Sequence, residues 1–259
     1  MKDCFALRFN LQKSGIKMMD NSELFANLFN EKDIFIKECL DQYNNFLSEA
    51  ADEILKDYDI NRLKTVTRDK KILFMGDSIT SDRLSFGKIV AEVLPCSVTD
   101  CAVSGSRAIN VAADINSCME TYKPNIVSVL IGTNDAIYTD KSSVYTATSP
   151  KEYARNLKII AERVSDFGAL LILNSIPPVF VSRFNEMNPN WSAKKETNDI
   201  FNDIIYNLSI ELGFVYNDFR TIFSTWEVEK LFEPDGIHLS PFAHKQLARK
   251  FVKILLENL

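Results

Sequence analysis

Two patterns of hydrophobic spacing divide the chain near residue 67. Before this point, apolar residues recur every three or four positions between Ile36 and Tyr58, which is the spacing of one face of an amphipathic helix. A second group of apolar residues, between Ser22 and Phe29, predicts a shorter helix in front of it. We therefore predict that residues 1–67 form a helical N-terminal extension.

After residue 67, short apolar runs alternate with stretches of helical spacing. The runs are almost continuously apolar, as is typical of strands that are buried on both faces. The five predicted strands are Lys71–Met75, Ser97–Val103, Asn125–Ile131, Ala169–Asn174 and Phe214–Asn217. This alternation predicts a second unit, residues 68–259, with a parallel sheet covered by helices on both faces.

The composition is that of a globular protein with a full core, since 46% of the 259 residues are hydrophobic and 25% are charged. No apolar run approaches the ~20 residues of a membrane-spanning helix, and the first residues lack the apolar centre of a signal peptide. The net charge of −5 gives no basic footprint for nucleic acid. Residues 20–59 carry eleven acidic and three basic side chains, so the acidity belongs to the extension.

The cysteines and histidines restrict the possible chemistry. The five cysteines, at positions 4, 39, 96, 101 and 118, form no C-x-x-C pair, so we expect reduced thiols and a cytoplasmic location. The two histidines, His238 and His244, are too few for a three-histidine metal site. We expect neither a metal nor a cofactor, and we expect His244, beside Lys245 in the last predicted helix, to face solvent.

Polar motifs follow three of the predicted strands, where ligands bind in parallel sheets. Ser78, in Gly-Asp-Ser-Ile-Thr, lies near a helix N-terminus that favours negative charge, although a helix cap is the simpler interpretation. Gly105, in Ser-Gly-Ser, offers a backbone N–H. Asn134, in Gly-Thr-Asn-Asp, offers a side-chain amide. Both of these sequences are also common in turns.

A fourth motif, Asp-Gly-Ile-His, precedes the last helix and places Asp235 three residues before His238. This spacing can hold the carboxylate against one ring nitrogen and leave the other nitrogen free, as the base of a serine nucleophile requires. Each motif alone is a weak signal. Together they supply a nucleophile, a base, an orienting carboxylate and donors for an oxyanion.

In these four motifs the sequence resembles the SGNH hydrolases, also called the GDSL esterase/lipase family. The resemblance implies an α/β fold, a three-layer αβα sandwich with a parallel, flavodoxin-like sheet of about five strands. The helical extension lies outside the family pattern. The second motif also departs from it, because Asp100 and Ala102 stand where the family often has asparagine and glycine.

The resemblance also assigns roles to the site residues. Ser78 attacks the acyl carbon, His238 accepts the proton, and Asp235 orients the imidazole. The backbone N–H groups of Ser78 and Gly105 bind the oxyanion together with the Asn134 amide. No metal or cofactor takes part in this chemistry.

The expected function is that of a serine esterase for small acyl esters, with O-acetyl groups on carbohydrate as the first choice of substrate. A lipase or thioesterase, or an acyltransferase, would use the same residues, and a binding module without turnover is the alternative of another class. An ordinary α/β-hydrolase is disfavoured, because Gly76-Asp-Ser-Ile-Thr80 lacks the second glycine of G-x-S-x-G. Arg107 is either a contact for an anionic substrate or a surface arginine.

Two segments have open interpretations. The extension is either a helical cap on the αβα unit, or an arm for homo-oligomerisation, or a part of the pocket wall. Residues 177–198 are expected to overhang the site, with Phe180, Phe184 and Trp191 either packing or contacting substrate.

Overall fold

Five parallel strands form the centre of the molecule in the computed structural model, which describes residues 5–9 and 21–259. The strands are β1 (Lys71–Gly76), β2 (Ser97–Asp100), β3 (Ile126–Leu130), β4 (Leu170–Asn174) and β5 (Val215–Asn217). Their order is β2-β1-β3-β4-β5, and every neighbouring pair is parallel. The predicted parallel, flavodoxin-like sheet of five strands is confirmed.

Helices pack on both faces of this sheet. A 3₁₀ turn, Phe5–Arg8, precedes them in the sequence. In the described residues the helices are α1 (Ser22–Phe29), α2 (Asp33–Leu55), α3 (Ile60–Thr67), α4 (Ser78–Ser81), α5 (Phe86–Val93), α6 (Ala108–Tyr122), α7 (Thr133–Ala136), α8 (Pro150–Asp166), α9 (Val181–Met187), α10 (Lys195–Leu212), α11 (Arg220–Phe223), α12 (Val228–Leu231) and α13 (Pro241–Asn258).

The two faces of the sheet carry separate hydrophobic cores because strand side chains alternate in direction. Ile72 and Phe74 of β1 pack with α5 and α13 on one face. Leu73 and Met75 pack with α6, α8 and α10 on the other. The resulting three-layer αβα sandwich is the predicted fold class.

The helical extension is joined to the first of these cores. Ala50, Ile54 and Leu63 are buried in the same cluster as the apolar face of α13. The predicted long helix ends at Leu55 instead of reaching Tyr58, and α3 then begins where the Asp59 side chain accepts hydrogen bonds from two backbone N–H groups. These contacts are those expected of a cap. The division of the chain at residue 67 and an oligomerisation role stay predictions.

Ionic contacts accompany this apolar junction. Glu53 pairs with Lys245 at 2.5 Å and Asp57 pairs with Arg249 at 2.6 Å. Acidic side chains in α2 and just after it therefore pair with basic side chains of α13.

Two expectations from the sequence are wrong. His244 does not face solvent: it lies on the buried face of α13, with no exposed surface, and its Nε2 is 3.3 Å from Asp82 Oδ2. Cys39 is not a reduced thiol, because it is disulfide-bonded. Cys96, Cys101 and Cys118 are free, and position 4 lies outside the described residues.

Within residues 5–9 and 21–259, the helices are too short or too polar to span a bilayer.

Candidate active site

The loops that follow β1 and β3 meet the loop before α13 at the carboxyl edge of the sheet. Ser78 is the first residue of α4, which begins directly after β1 with Asp77 as its cap. Gly76 ends β1 against β3, and a Cβ at this position would overlap the carbonyl oxygen of Leu130. Glycine therefore lets the two strands approach where the chain turns toward Ser78.

Ser78, His238 and Asp235 form one hydrogen-bonded chain. His238 Nε2 is 2.9 Å from Ser78 Oγ, and His238 Nδ1 is 2.6 Å from Asp235 Oδ2. A carboxylate accepts only, so the short contact assigns the ring proton to Nδ1 and leaves Nε2 as an acceptor for the Ser78 hydroxyl. Only 9% of Ser78 is exposed.

The loop that carries Asp235 and His238 is shaped by the carboxylate itself. Asp235 Oδ1 accepts hydrogen bonds from the N–H groups of Ile237 and His238, at 3.1 and 3.0 Å, which is an Asx turn. Gly236 has a φ of +75°, and its carbonyl accepts the N–H of Phe180 at 2.8 Å. Burial raises the pKa of Asp235, but the hydrogen bond and charge of His238 outweigh it and lower the pKa below its ordinary value.

Two of the residues predicted to bind an oxyanion lie in the loops after β2 and β3, and the first of these loops meets the end of β1 where the N–H of Val103 donates to Gly76 O at 3.1 Å. Asn134 Nδ2 donates to Ser106 O at 2.9 Å, which fixes the amide and uses one of its two hydrogens. Gly105 has a φ of +72°, in the left-handed region. Ser78 is the first residue of a helix, so its N–H has no intrahelical acceptor.

A buried carboxylate links the second and third motifs. Asp135 Oδ2 accepts the N–H of Ala108 at 3.0 Å. This bond joins the short helix that carries Asn134 to the start of α6, just after Gly105.

The departure of the second motif from the family pattern has a local explanation. Asp100 Oδ1 accepts the N–H of Ala102 at 2.9 Å, and Asp100 Oδ2 pairs with Lys88 at 3.2 Å. This turn ends β2 at Asp100, three residues before the predicted end at Val103. The carboxylate thus anchors the loop that leads to Gly105.

A cavity of about 280 Å³ adjoins two of the residues predicted to bind an oxyanion, Gly105 and Asn134. It is lined by Gly105, Arg107, Asn134, Ile137, Tyr138, Thr139, Ala147 and Trp191. Arg107 is therefore at the cavity wall, where its Nη1 donates to Ala147 O at 2.9 Å. Of the predicted overhang, Trp191 lines the cavity, whereas Phe184 is 2% exposed and packs in the interior.

Comparison with known families decides the assignment. The model of the GDSL-like lipase/acylhydrolase family matches residues 74–246, a range that contains all four motifs. The chain belongs to this family. As a member of the GDSL-like hydrolases, it is an enzyme that hydrolyses carboxylic ester bonds. Among curated proteins, no sequence matches it.

Solved structures share the fold of this GDSL-like hydrolase. Axe2, an acetylxylan esterase from Geobacillus stearothermophilus, has 21% identity and a TM-score of 0.58 over 72% of this chain and 94% of that one. LAE5, an alpha/beta hydrolase enzyme from the metagenome of Lake Arreo in Spain, has 18% identity and a TM-score of 0.57, with the same coverage. A protein predicted to be an SGNH hydrolase, from Slackia heliotrinireducens, has 17% identity and a TM-score of 0.58 over 72% and 98%.

One part of the site in this GDSL-like hydrolase has no signal in the four motifs. The Phe9 ring lies against the His238 ring, with centroids 4.3 Å apart, and the Phe5 ring is 5.8 Å away. Both residues belong to the extension. The sequence around Phe5, Arg8 and Phe9 contains no motif that would predict a position beside His238.

The buried carboxyl group next to Ser78 predicts a pH dependence of stability. Asp77 is fully buried, and burial raises its pKa from 3.8 to about 7. Its Oδ1 accepts the N–H of Ile79 at 3.0 Å, while Oδ2 has no partner among the described residues. Because the folded pKa lies above the unfolded one, the stabilising contribution is full below pH 4 and is lost as pH rises through 7.

We expect Asp77→Asn to remove this dependence. From pH 4 to pH 7 the free energy of unfolding of the wild type should fall by up to roughly 4 kcal/mol relative to the variant, since three pKa units separate the two states. Denaturant unfolding curves across this range measure the difference. The amide keeps an acceptor for the N–H of Ile79, so a constant difference between the two proteins would show that Asp77 does not titrate in this range.

Proposed function

We propose that the protein is a serine esterase that removes small acyl groups, foremost O-acetyl groups of carbohydrates, through an acyl-enzyme on Ser78. The observation that carries the proposal is the hydrogen-bonded chain from Ser78 Oγ through His238 to Asp235, at 2.9 and 2.6 Å. It has the order and the contact lengths of a nucleophile, a general base and an orienting carboxylate.

Acylation begins with the attack of Ser78 Oγ on the acyl carbon of the ester. His238 Nε2 accepts the hydroxyl proton as the new C–O bond forms, and Asp235 stabilises the resulting imidazolium. The imidazolium then donates this proton to the leaving alkoxide. The alcohol departs and the acyl group remains on Ser78.

The negative oxygen of the tetrahedral intermediate needs donors that are held in advance. The proposed donors are the N–H groups of Ser78 and Gly105 and the second amide hydrogen of Asn134. Their support comes from the fixed Asn134 amide and from the bond between Asp135 and Ala108. Each such donor contributes about 3 kcal/mol in the transition state.

Deacylation repeats these steps with water as the nucleophile. His238 Nε2 accepts a proton from the water that attacks the acyl carbon, and then returns it to Ser78 Oγ. The carboxylic acid is released, and His238 is neutral again, as it was at the start.

The small size of the substrate follows from the enclosure of the site. Ser78 is 9% exposed, the rings of Phe5 and Phe9 lie near His238, and the cavity at Gly105 and Asn134, of about 280 Å³, is slightly smaller than the usual range of small-molecule pockets, which starts at about 300 Å³. These features favour a small acyl group over a long chain.

A carbohydrate alcohol fits the lining of the same cavity. Trp191 is 53% exposed and presents an aromatic face suited to the apolar face of a sugar ring. Among the described residues, the Arg107 guanidinium donates one hydrogen bond, from Nη1 to Ala147 O, and its other N–H groups can donate to hydroxyl or acidic groups of a substrate. The acetylxylan esterase with the same fold supports this substrate class.

The test is an ester panel on the purified full-length protein. 4-Nitrophenyl esters from acetyl to dodecanoyl, and acetylated xylooligosaccharides, are compared by kcat/KM. We expect the acetyl esters to be the best substrates, with a loss of at least about tenfold at octanoyl. Labelling with an organophosphate, followed by peptide mass spectrometry, should place the adduct on Ser78.

Other outcomes identify the other candidates. A preference for long acyl chains would indicate a lipase. Transfer of acetyl to an added sugar in place of release as acetate would indicate an acyltransferase. A folded protein with no turnover and no label on Ser78 would indicate a binding module.

A further inference from the structure

The N-terminal segment Phe5–Phe9 lies inside the site, not on the outer surface of the extension. We propose that this segment completes the active site: Arg8 is a positioning residue that holds the loop of Ser78 against the loop of Asp235 and His238, and Phe9 borders the subsite for the alcohol of the ester. The proposal rests on the proposed function.

Arg8 bridges the two loops that carry the reacting groups. Its Nε and Nη2 donate to the two oxygens of Asp82, at 3.1 and 2.6 Å, and Asp82 ends the helix that begins at Ser78. Its Nη1 donates to Glu233 and its Nη2 to Leu239 O at 2.7 Å. Glu233 precedes Asp235 by two residues, and Leu239 directly follows His238.

The two anchored loops are themselves stiffened at the points where Arg8 binds. The N–H of Asp82 donates to Ser78 O at 3.1 Å, and Asp82 Oδ1 accepts the N–H of Leu84 at 2.9 Å. On the other side, the N–H of Glu233 donates to His238 O at 2.9 Å. A shift at the guanidinium would therefore move Ser78 and His238 relative to each other.

The segment is fixed to the protein along its backbone. The carbonyl oxygen of Arg8 accepts the N–H of Arg83 at 2.8 Å, and that of Leu7 accepts Arg83 Nε at 2.8 Å. Leu7 is buried in a cluster with residues of α1 and α2, including Phe25 and Ile36. The packing of Leu7 against α1 and α2 thus fixes the position of the neighbouring Arg8 at the site.

The charges around Arg8 make it difficult to replace. Arg8 is 4% exposed and Asp82 1%, and the groups that face them are Glu233 and His244. Burial opposes the charge of Asp82, but Arg8 and then His244 lower the pKa of this carboxyl to about 2. Burial also lowers the pKa of His244, which leaves Arg8 as the cation for two carboxylates. Arginine suits this place because its planar fork reaches several acceptors at once, whereas lysine is a point charge.

Phe9 lies where the leaving alcohol must pass. The imidazolium of His238 protonates the leaving oxygen, so the alcohol has to be within hydrogen-bond reach of Nε2. The centroid of the Phe9 ring is 4.3 Å from the centroid of the same imidazole. The Arg8 guanidinium carbon lies 5.9 Å from the centroid of the Phe9 ring. The ring therefore borders the side of the site at His238, where the alcohol leaves.

The experiment compares Arg8→Lys with Arg249→Lys in the full-length protein. Arg249 is the control, because it is another arginine that binds a carboxylate between the extension and the rest of the chain, Asp57 at 2.6 Å, and it lies outside the site. We expect Arg8→Lys to lower kcat for 4-nitrophenyl acetate, and the rate at which the organophosphate labels Ser78, by about 10- to 100-fold. KM and the control should change less than about threefold.

If Arg8 had only a structural role, Arg8→Lys would lower the melting temperature but leave kcat unchanged when it is calculated per mole of protein that the organophosphate can label. This result would overturn the role of Arg8. If Arg8→Lys does not fold, the triple variant Arg8→Met, Asp82→Asn and Glu233→Gln replaces the cation and both of its carboxylates by neutral groups of similar volume. It should fold and show the same loss of kcat. A folded triple variant with wild-type kcat would also overturn the proposal.

The Phe9 part is tested by alcohol selectivity. Phe9→Ala should change the ratio of kcat/KM for phenyl acetate and ethyl acetate by about tenfold, while Phe9→Leu changes it less. The ratio for acetyl and butyryl esters of one alcohol should stay constant. A change in acyl selectivity alone, or in neither ratio, contradicts this assignment.

The labelling separates this proposal from the proposed function. A wild type that is labelled on Ser78 but hydrolyses no ester in the panel would overturn the substrate class, while the labelling rates still test Arg8. A wild type with neither labelling nor hydrolysis would overturn both.

Discussion

A Ser78→Ala variant is expected to lose about five to six orders of magnitude in kcat for acetyl esters, because the acyl-enzyme has no other oxygen on which to form. Residual hydrolysis comes from the oxyanion donors and from substrate binding, which remain intact. The measurement is acetate release from 4-nitrophenyl acetate and from an acetylated xylooligosaccharide, with the spontaneous rate subtracted.

Ser81→Ala is the matched control for this variant. Ser81 is a buried serine of the same short helix, α4, and its hydroxyl has no partner among the described residues. We expect its removal to leave kcat within about threefold and stability nearly unchanged, because no hydrogen bond is lost. Equal losses in the two variants would show that the damage is to the helix and not to a nucleophile.

Asp235→Asn is expected to lower kcat by about 10⁴-fold at neutral pH. The carboxylate oxygen Oδ2 accepts the Nδ1 proton of His238 and so keeps Nε2 free to take the proton of Ser78. An amide group that turns its NH₂ toward the ring stabilises the opposite tautomer, in which Nε2 already carries a proton. The loop itself should persist, because asparagine also forms the Asx turn with Ile237 and His238.

Asp218→Asn serves as the control for this second variant. Asp218 Oδ1 accepts the N–H of Arg220 at 3.1 Å, two residues ahead, as Asp235 Oδ1 accepts that of Ile237. Its kcat should stay within about tenfold of the wild type. Melting temperatures are recorded for both variants, and a loss below about tenfold in a folded Asp235→Asn protein would mean that the tautomer of His238 does not control the reaction.

The fold could be predicted from the sequence because its signals are local. Strands buried on both faces leave continuous apolar runs, and all five were located to within a few residues. The largest error was at β2, where the Asp100 side chain captures the N–H of Ala102 and ends the strand early. Such a turn depends on one side-chain rotamer, which the apolar pattern does not encode.

The candidate site was also largely predictable, for a different reason. Ser78, Asp235 and His238 stand in short motifs, and the structure brings them into contact. The errors lie where chemistry depends on distant parts of the chain. His244 is buried beside Asp82, which lies 162 positions earlier in the sequence. The position of Arg8 is set by Asp82, Glu233 and Leu239, and no shared sequence motif links these residues to Arg8.

The bonds of Arg8 also affect the order in which the protein becomes active during biosynthesis. They join positions 225 and 231 residues apart, and contacts of such sequence separation form late in folding, because long loops must close first. A nascent chain that has been synthesised through β4 contains Ser78, Gly105 and Asn134. It still lacks His238 and the residues at 233–239 that bind Arg8. Esterase activity therefore begins only after residues 233–239 have left the ribosome and docked onto Arg8.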